Sequence, residues 1–172
     1  MRLVVALGLL LGACGYHLVG QGGSVVIPDD VTSASLTTNA GKDGKVLLAE
    51  LQQLWLQQNH LPPLRKSEDG PGDPHHVILR IEQAKTAFVP VAFDASGLAI
   101  QYQLRVSAVL QMYRQDTLIW SSGVVSSNAD IFGDATALAN NPASIEAEKE
   151  TLSEQLYRKW AREALARLQS GF

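Results

Sequence analysis

The sequence predicts an α+β domain with two helices packed on one face of a four-stranded, largely antiparallel sheet, in the order β-α-β-β-β-α. Three observations predict it. Apolar and polar residues alternate over successive stretches between Val77 and Asn128, the period of strands with one buried face. Two other stretches, one before these strands and one after, carry apolar residues at helical spacing. The length of 172 residues, 46% hydrophobic and 18% charged, fits one globular domain, which at this size buries roughly 68–70% of its unfolded surface.

The elements follow in order. Val31 to Thr38 is rich in β-branched and small residues and reads as a short strand, broken by Gly41-Lys42-Asp43-Gly44. Leu47, Leu51, Leu54 and Trp55 place an amphipathic helix over about Lys45–Gln58. Pro62, Pro63, Pro71 and Pro74, with Gly70 and Gly72, make His60–His76 a surface loop. Val77, Leu79 and Ile81 then alternate with Ile78, Arg80 and Glu82. After the turn Asp94–Gly97, the even positions from Leu98 to Met112 are all apolar, which predicts that they are buried against the helices. Gln115-Asp116 turns the chain into a further strand, Leu118 to about Asn128, completing an antiparallel meander. Asn141 and Pro142 open the last helix, whose stripe is Leu152, Leu156, Trp160, Ala164 and Leu168. Its acids lie early and its arginines late, as the helix dipole favours.

The first residues read as an export segment. Met1-Arg2 is followed by an apolar run from Leu3 to Leu11, closing on Gly12-Ala13-Cys14. This resembles a bacterial lipobox, in which the cysteine carries the lipid and becomes the first mature residue. The domain organisation expected is a signal peptide over 1–13, a lipidated N-terminus and tether over 14–24, and a single domain over 25–172. Gly15, where a retention signal would place Asp, points to the outer membrane. Several acyl chains make such an anchor durable.

Composition excludes several classes. One cysteine leaves no disulfide framework and no multi-cysteine metal site. A formal charge of −3 speaks against nucleic acid as a partner. No apolar run approaches the about 20 residues of a spanning helix. His17, His60, His75 and His76 show no ligand spacing, and the adjacent pair His75–His76 reads as solvated loop residues. No nucleotide-binding, serine-hydrolase or zinc-protease motif occurs, so no catalytic residue and no metal ligand is nominated. The informative feature is the second face of the sheet, polar through Arg80, Gln101, Gln103, Arg105 and Gln111. A polar plug of this kind fits the polar lumen of a large outer-membrane barrel.

Three stretches resemble the LptE family, the lipopolysaccharide-assembly lipoproteins of the Gram-negative outer membrane. They are Leu11-Gly-Ala-Cys-Gly-Tyr-His-Leu18, the strand Ile100-Gln-Tyr-Gln-Leu104, and the helix segments Gln155–Lys159 and Ala164–Leu168. The resemblance implies a non-enzymatic protein that sits inside the barrel LptD and helps deliver lipopolysaccharide, with no cofactor beyond the covalent lipid on Cys14. The polar face itself nominates Arg80, Gln101, Gln103, Arg105 and Gln111 as lipopolysaccharide or barrel contacts, with Arg80 and Arg105 the candidate phosphate partners. The hairpin tip, Phe93-Asp94-Ala95-Ser96-Gly97, is acidic where the family carries basic residues. Two other classes remain open: an auxiliary outer-membrane lipoprotein of a lipid-trafficking ABC system, told apart by its partner, and a tethered enzyme, which would need a cleft of convergent titratable groups.

Overall fold

The structure, a computed structural model, describes residues 27–66, 72–132 and 142–171. The export segment, Cys14, the tether, His17, part of the Pro/Gly loop and the Asn141 cap lie outside the described residues. The elements are β1 (Ser33–Thr38), α1 (Gly41–Leu56), β2 (His76–Phe93), β3 (Ala99–Arg114), β4 (Thr117–Phe132) and α2 (Pro142–Ser170). The strands form one sheet in the order β1-β2-β3-β4. β2, β3 and β4 are antiparallel neighbours, as expected of a meander, while β1 runs parallel to β2. The sheet is therefore mixed: α1 is the crossover of a β-α-β unit, which parallel neighbours require.

The sheet buries Val77, Leu79, Ile81, Leu104, Val106, Leu110 and Met112 against Leu47, Leu51 and Trp55 of α1 and Leu156, Trp160, Ala164 and Leu168 of α2. Each large side chain withdrawn in this way contributes about 1.5–3 kcal/mol. Both of these tryptophans satisfy their ring N–H: Trp55 donates to Pro62 O at 2.9 Å and Trp160 to Ala108 O at 3.4 Å. No helix among the described residues is long and apolar enough to cross a membrane.

Four expectations need correction. The first helix begins at Gly41, so the predicted breaker lies within its first turn. Gly44 is buried there because a Cβ would collide with Thr38 Oγ1 and Ala40 Cβ; the glycine admits β1 to the helix. β2 runs on to Phe93, well past Glu82. Gln83 has φ 54°, and the pairing register shifts between Glu82 and Lys85. Odd residues face the core before this bulge; Thr86 and Phe88, opposite Val106 and Leu104, face it afterwards. The even face of β3 is buried from Leu104 onward, but Leu98 is 55% and Ile100 39% exposed. β1 ends opposite Ile81, and the hairpin outruns it. Lastly, His76 is the first residue of β2 and is buried, while its neighbour His75 is solvated as expected.

Candidate functional site

The helices cover one face of the sheet and leave the other open. Its residues come from the odd positions of β3, from Arg80 and Glu82 before the bulge of β2 and Lys85 after it, opposite Ser107, and from β4. Strand pairing brings the sequence-nominated residues together in two groups. In the first, Arg80 lies directly opposite Gln111. The Arg80 guanidinium stands 4.6 Å from the centre of the Tyr113 ring and 3.8 Å from Glu82, and the Tyr113 hydroxyl donates to Gln111 Oε1 at 2.7 Å. In the second, Arg105 Nη2 donates to Gln103 Oε1 at 2.7 Å, and Gln103 Nε2 donates to Asp130 Oδ1 at 3.2 Å. Gln101 lies two residues further along β3, opposite Phe132. Gln111 and Arg105 are six residues apart on an extended strand, so the groups are about 20 Å apart.

The electrostatics of this face leave a slight basic excess, with Lys85 exposed beside Ser107. Arg80 stands against Glu82, and Arg105 is coupled to Asp130 through an amide relay. Between the groups lie Ser107, Val109, Val124 and Ser126. The arrangement offers two sets of donors and acceptors with an exposed valine, Val124, between them.

A second feature lies beyond this face, at the end of the β2–β3 hairpin. Val89, Val91, Phe93, Leu98 and Ile100 are exposed there, with Phe132 at the adjoining end of β4. Asp94 closes the turn: its Oδ1 accepts from Ser96 N, Ser96 Oγ and Leu98 N at 2.7–2.9 Å. The Ser96 hydroxyl, then the Leu98 amide, hold its carboxyl below the usual range. The sequence pattern placed Leu98 and Ile100 in the core, so the alternation that located the strand concealed this tip.

A third feature is a buried polar cluster. His76 Nδ1 lies 2.8 Å from Ser33 Oγ, and Nε2 lies 3.1 Å from Ser35 Oγ. Burial pushes the His76 ring pKa down, Arg65 adds to this, and Asp73 opposes it. A serine bonded to a histidine is the start of a nucleophilic pair. Here all three side chains are closed to solvent, so the cluster locks β1 to β2 and offers no access to a substrate. The nearby N-terminal segment is clamped by Asp30, which accepts from Arg114 at 2.8 and 3.2 Å. An open cleft of about 360 Å³ beside it is lined by Ile27, Val31 and His60–Pro63. Among the described residues no three His, Cys, Asp or Glu side chains gather as metal ligands.

No protein-family model matches the sequence, and a comparison with curated proteins gives no match. Solved structures do. The fold is similar to that of solved bacterial lipoproteins. A lipoprotein B of Nitrosomonas europaea has a TM-score of 0.63 at 18% identity, over 91% of this chain and 92% of its own. The rare lipoprotein B of Shewanella oneidensis has a TM-score of 0.61 at 16% identity, over 81% and 95%. A minor lipoprotein of Acinetobacter baumannii has a TM-score of 0.61 at 15% identity, over 81% and 92%. At these identities the likeness is one of fold.

Proposed function

We propose that this chain is a non-enzymatic outer-membrane lipoprotein, anchored by lipid on Cys14, that docks inside a large LptD-like β-barrel and assists lipopolysaccharide transport and assembly. The observation that carries the reading is the uncovered polar sheet face with its relay from Arg105 through Gln103 to Asp130. A barrel lumen is polar, unlike its lipid-facing wall. A face of amides, hydroxyls and charged groups is complementary to such a lumen. Its groups stay satisfied on docking only if lumen groups or bridging waters meet them, because each buried amide left unpaired costs roughly 1–3 kcal/mol. Arg80, Lys85 and Arg105 are also groups on this face able to pair with lipopolysaccharide phosphates. The lipobox-like Leu11–Cys14 and the likeness in fold to bacterial lipoproteins support the setting.

Arg105→Glu tests the docking face. Arg105 is exposed, so the variant keeps its circular dichroism spectrum and melting temperature. The introduced carboxylate would face Asp130 across the relay and break it, so a tagged variant recovers several-fold less barrel from detergent-solubilised membranes. Undiminished recovery contradicts the reading.

A further inference from the structure

We propose that the outer edge of β4 pairs with the β4 edge of a second copy of this chain, in an antiparallel two-fold ladder centred on Asn128. β4 is the last strand of the sheet, so its ladder within the chain runs along the β3 side. The Leu110 N–H faces β4, where it donates to Ser122 Oγ at 3.0 Å. On an extended strand Ala108, Val106, Leu104 and Tyr102 share that direction, and they lie opposite Val125, Ser127, Ala129 and Ile131. Ser126, Asn128, Asp130 and Phe132 therefore turn their N–H and C=O groups outward. The contacts of Arg167 fit this phase: its guanidinium donates to the carbonyls of Ser122 and Val124, at 2.9 and 3.3 Å, from outside the ladder.

Protection of the edge stops there. Unpaired strand edges are templates for pairing, which charges, prolines, bulges and covering segments suppress. The irregularity at Gly123, φ 62°, and the Arg167 cap guard β4 as far as Val124. At the other edge of the sheet, Ala34 of β1 donates to Pro63 O and accepts from Arg65 N, so the chain covers that side itself. From Val124 to Phe132 there is no proline, and Asp130 is the one charge. Among the described residues no backbone group bonds this stretch from outside.

The residues along the edge choose the partner. Outward-facing residues meet directly in an antiparallel ladder and exchange both of their hydrogen bonds. Centred on Asn128, the ladder sets Val124 against the partner's Phe132, Ser126 against the partner's Asp130, and Asn128 against the partner's Asn128. Val124 is 62% and Phe132 75% exposed, so each gains an apolar neighbour. Each carboxylate gains a hydroxyl donor, and the two amides can bond each other. Other centres fit worse. Ser127 sets Asp130 against Val124, Ala129 sets Phe132 against Ser126, and Asp130 sets two carboxylates together. A contact between identical copies must be self-complementary, and about Asn128 this stretch is.

Pairing edge to edge continues the sheet and leaves the open face of both copies uncovered. The pair is the state of the chain apart from a barrel, and the experiment contains none, so its outcome does not bear on the barrel reading.

The full chain, purified in a density-matched detergent, is followed by sedimentation velocity over a wide range of concentration. The wild type should pass from monomer to dimer as concentration rises, with hydrogen exchange slowing at the Ser126, Asn128 and Asp130 amides. Ser126→Asp sets a carboxylate against the partner's Asp130 at two places and should weaken the dimer several-fold. The double variant S126D/D130K turns both contacts into opposite-charge pairs and should restore it. Both positions are exposed, so melting temperatures should stay near that of the wild type. A monomer at every concentration overturns the proposal. A dimer that S126D leaves intact assigns the contact to another surface, the apolar hairpin end included, and also overturns it. Failure of D130K to restore the S126D dimer overturns the register.

Discussion

Between Ser33 and Ser35 the His76 ring is almost wholly withdrawn from water, so its protonated form loses hydration that two hydroxyls replace only in part. The folded pKa therefore lies below the ordinary 6.5, and the folded chain binds fewer protons here than the unfolded chain. The stability this ring contributes is complete above pH 6.5 and is lost as pH falls through the folded value. Melting temperatures followed downward from neutral pH should fall, and His76→Gln should flatten that slope; equal slopes would contradict this assignment. Burial makes a second prediction at this scale. Leu104 is fully buried and Leu98 is 55% exposed, although both lie on the even face of one apolar stripe. In urea titrations Leu104→Asp should cost several kcal/mol, because it buries an unpaired carboxylate. Leu98→Asp should stay within about 0.5 kcal/mol of the wild type, as surface changes do. A large loss from Leu98→Asp would mean that the hairpin end is covered.

Among the elements, the β2–β3 hairpin depends on a repair made by α1. The bulge at Gln83 interrupts pairing, and the Thr86 amide, just beyond it, donates to Asp43 Oδ2 at 2.8 Å. The Thr86 hydroxyl meets Tyr157 OH of α2 at 3.1 Å. Asp43→Ala should therefore cost about 1–2 kcal/mol and speed hydrogen exchange at Thr86 above all; unchanged exchange there would show that the bulge holds without the helix. The same bulge explains what could be read in the sequence. Val77 to Ile81 and Leu104 to Met112 keep one parity, so their strands and core face were legible. At Gln83 the parity inverts, and the continuation of β2 to Phe93 disappears from a period-two pattern. Gly41–Gly44 misled in the opposite way: Gly44 sits within a helix because Thr38 of β1 and Ala40 leave no room for a side chain, and Gly41 opens that helix at φ 65°, a conformation that favours glycine. The parallel pairing of β1 with β2 joins residues 43 apart, which no local pattern encodes, so the Ser33–His76–Ser35 cluster was hidden with it. The polar face was legible because it needs only alternation. The apolar tip was not, because exposure depends on where β1 stops.

For the whole molecule, the two faces of the sheet divide the work. One is committed to the helices and holds the core, and the other carries two polar groups some 20 Å apart, in a chain whose N-terminal residues resemble a lipobox. On the proposed function, the open face is the surface that meets a barrel. Photo-crosslinkers placed one at a time in cells at Gln103 on that face, and at Arg162 on the exposed side of α2, test it most directly. The expected result is that Gln103 captures a large outer-membrane β-barrel and that Arg162 captures far less. Capture of the barrel from Arg162, with none from Gln103, would contradict it.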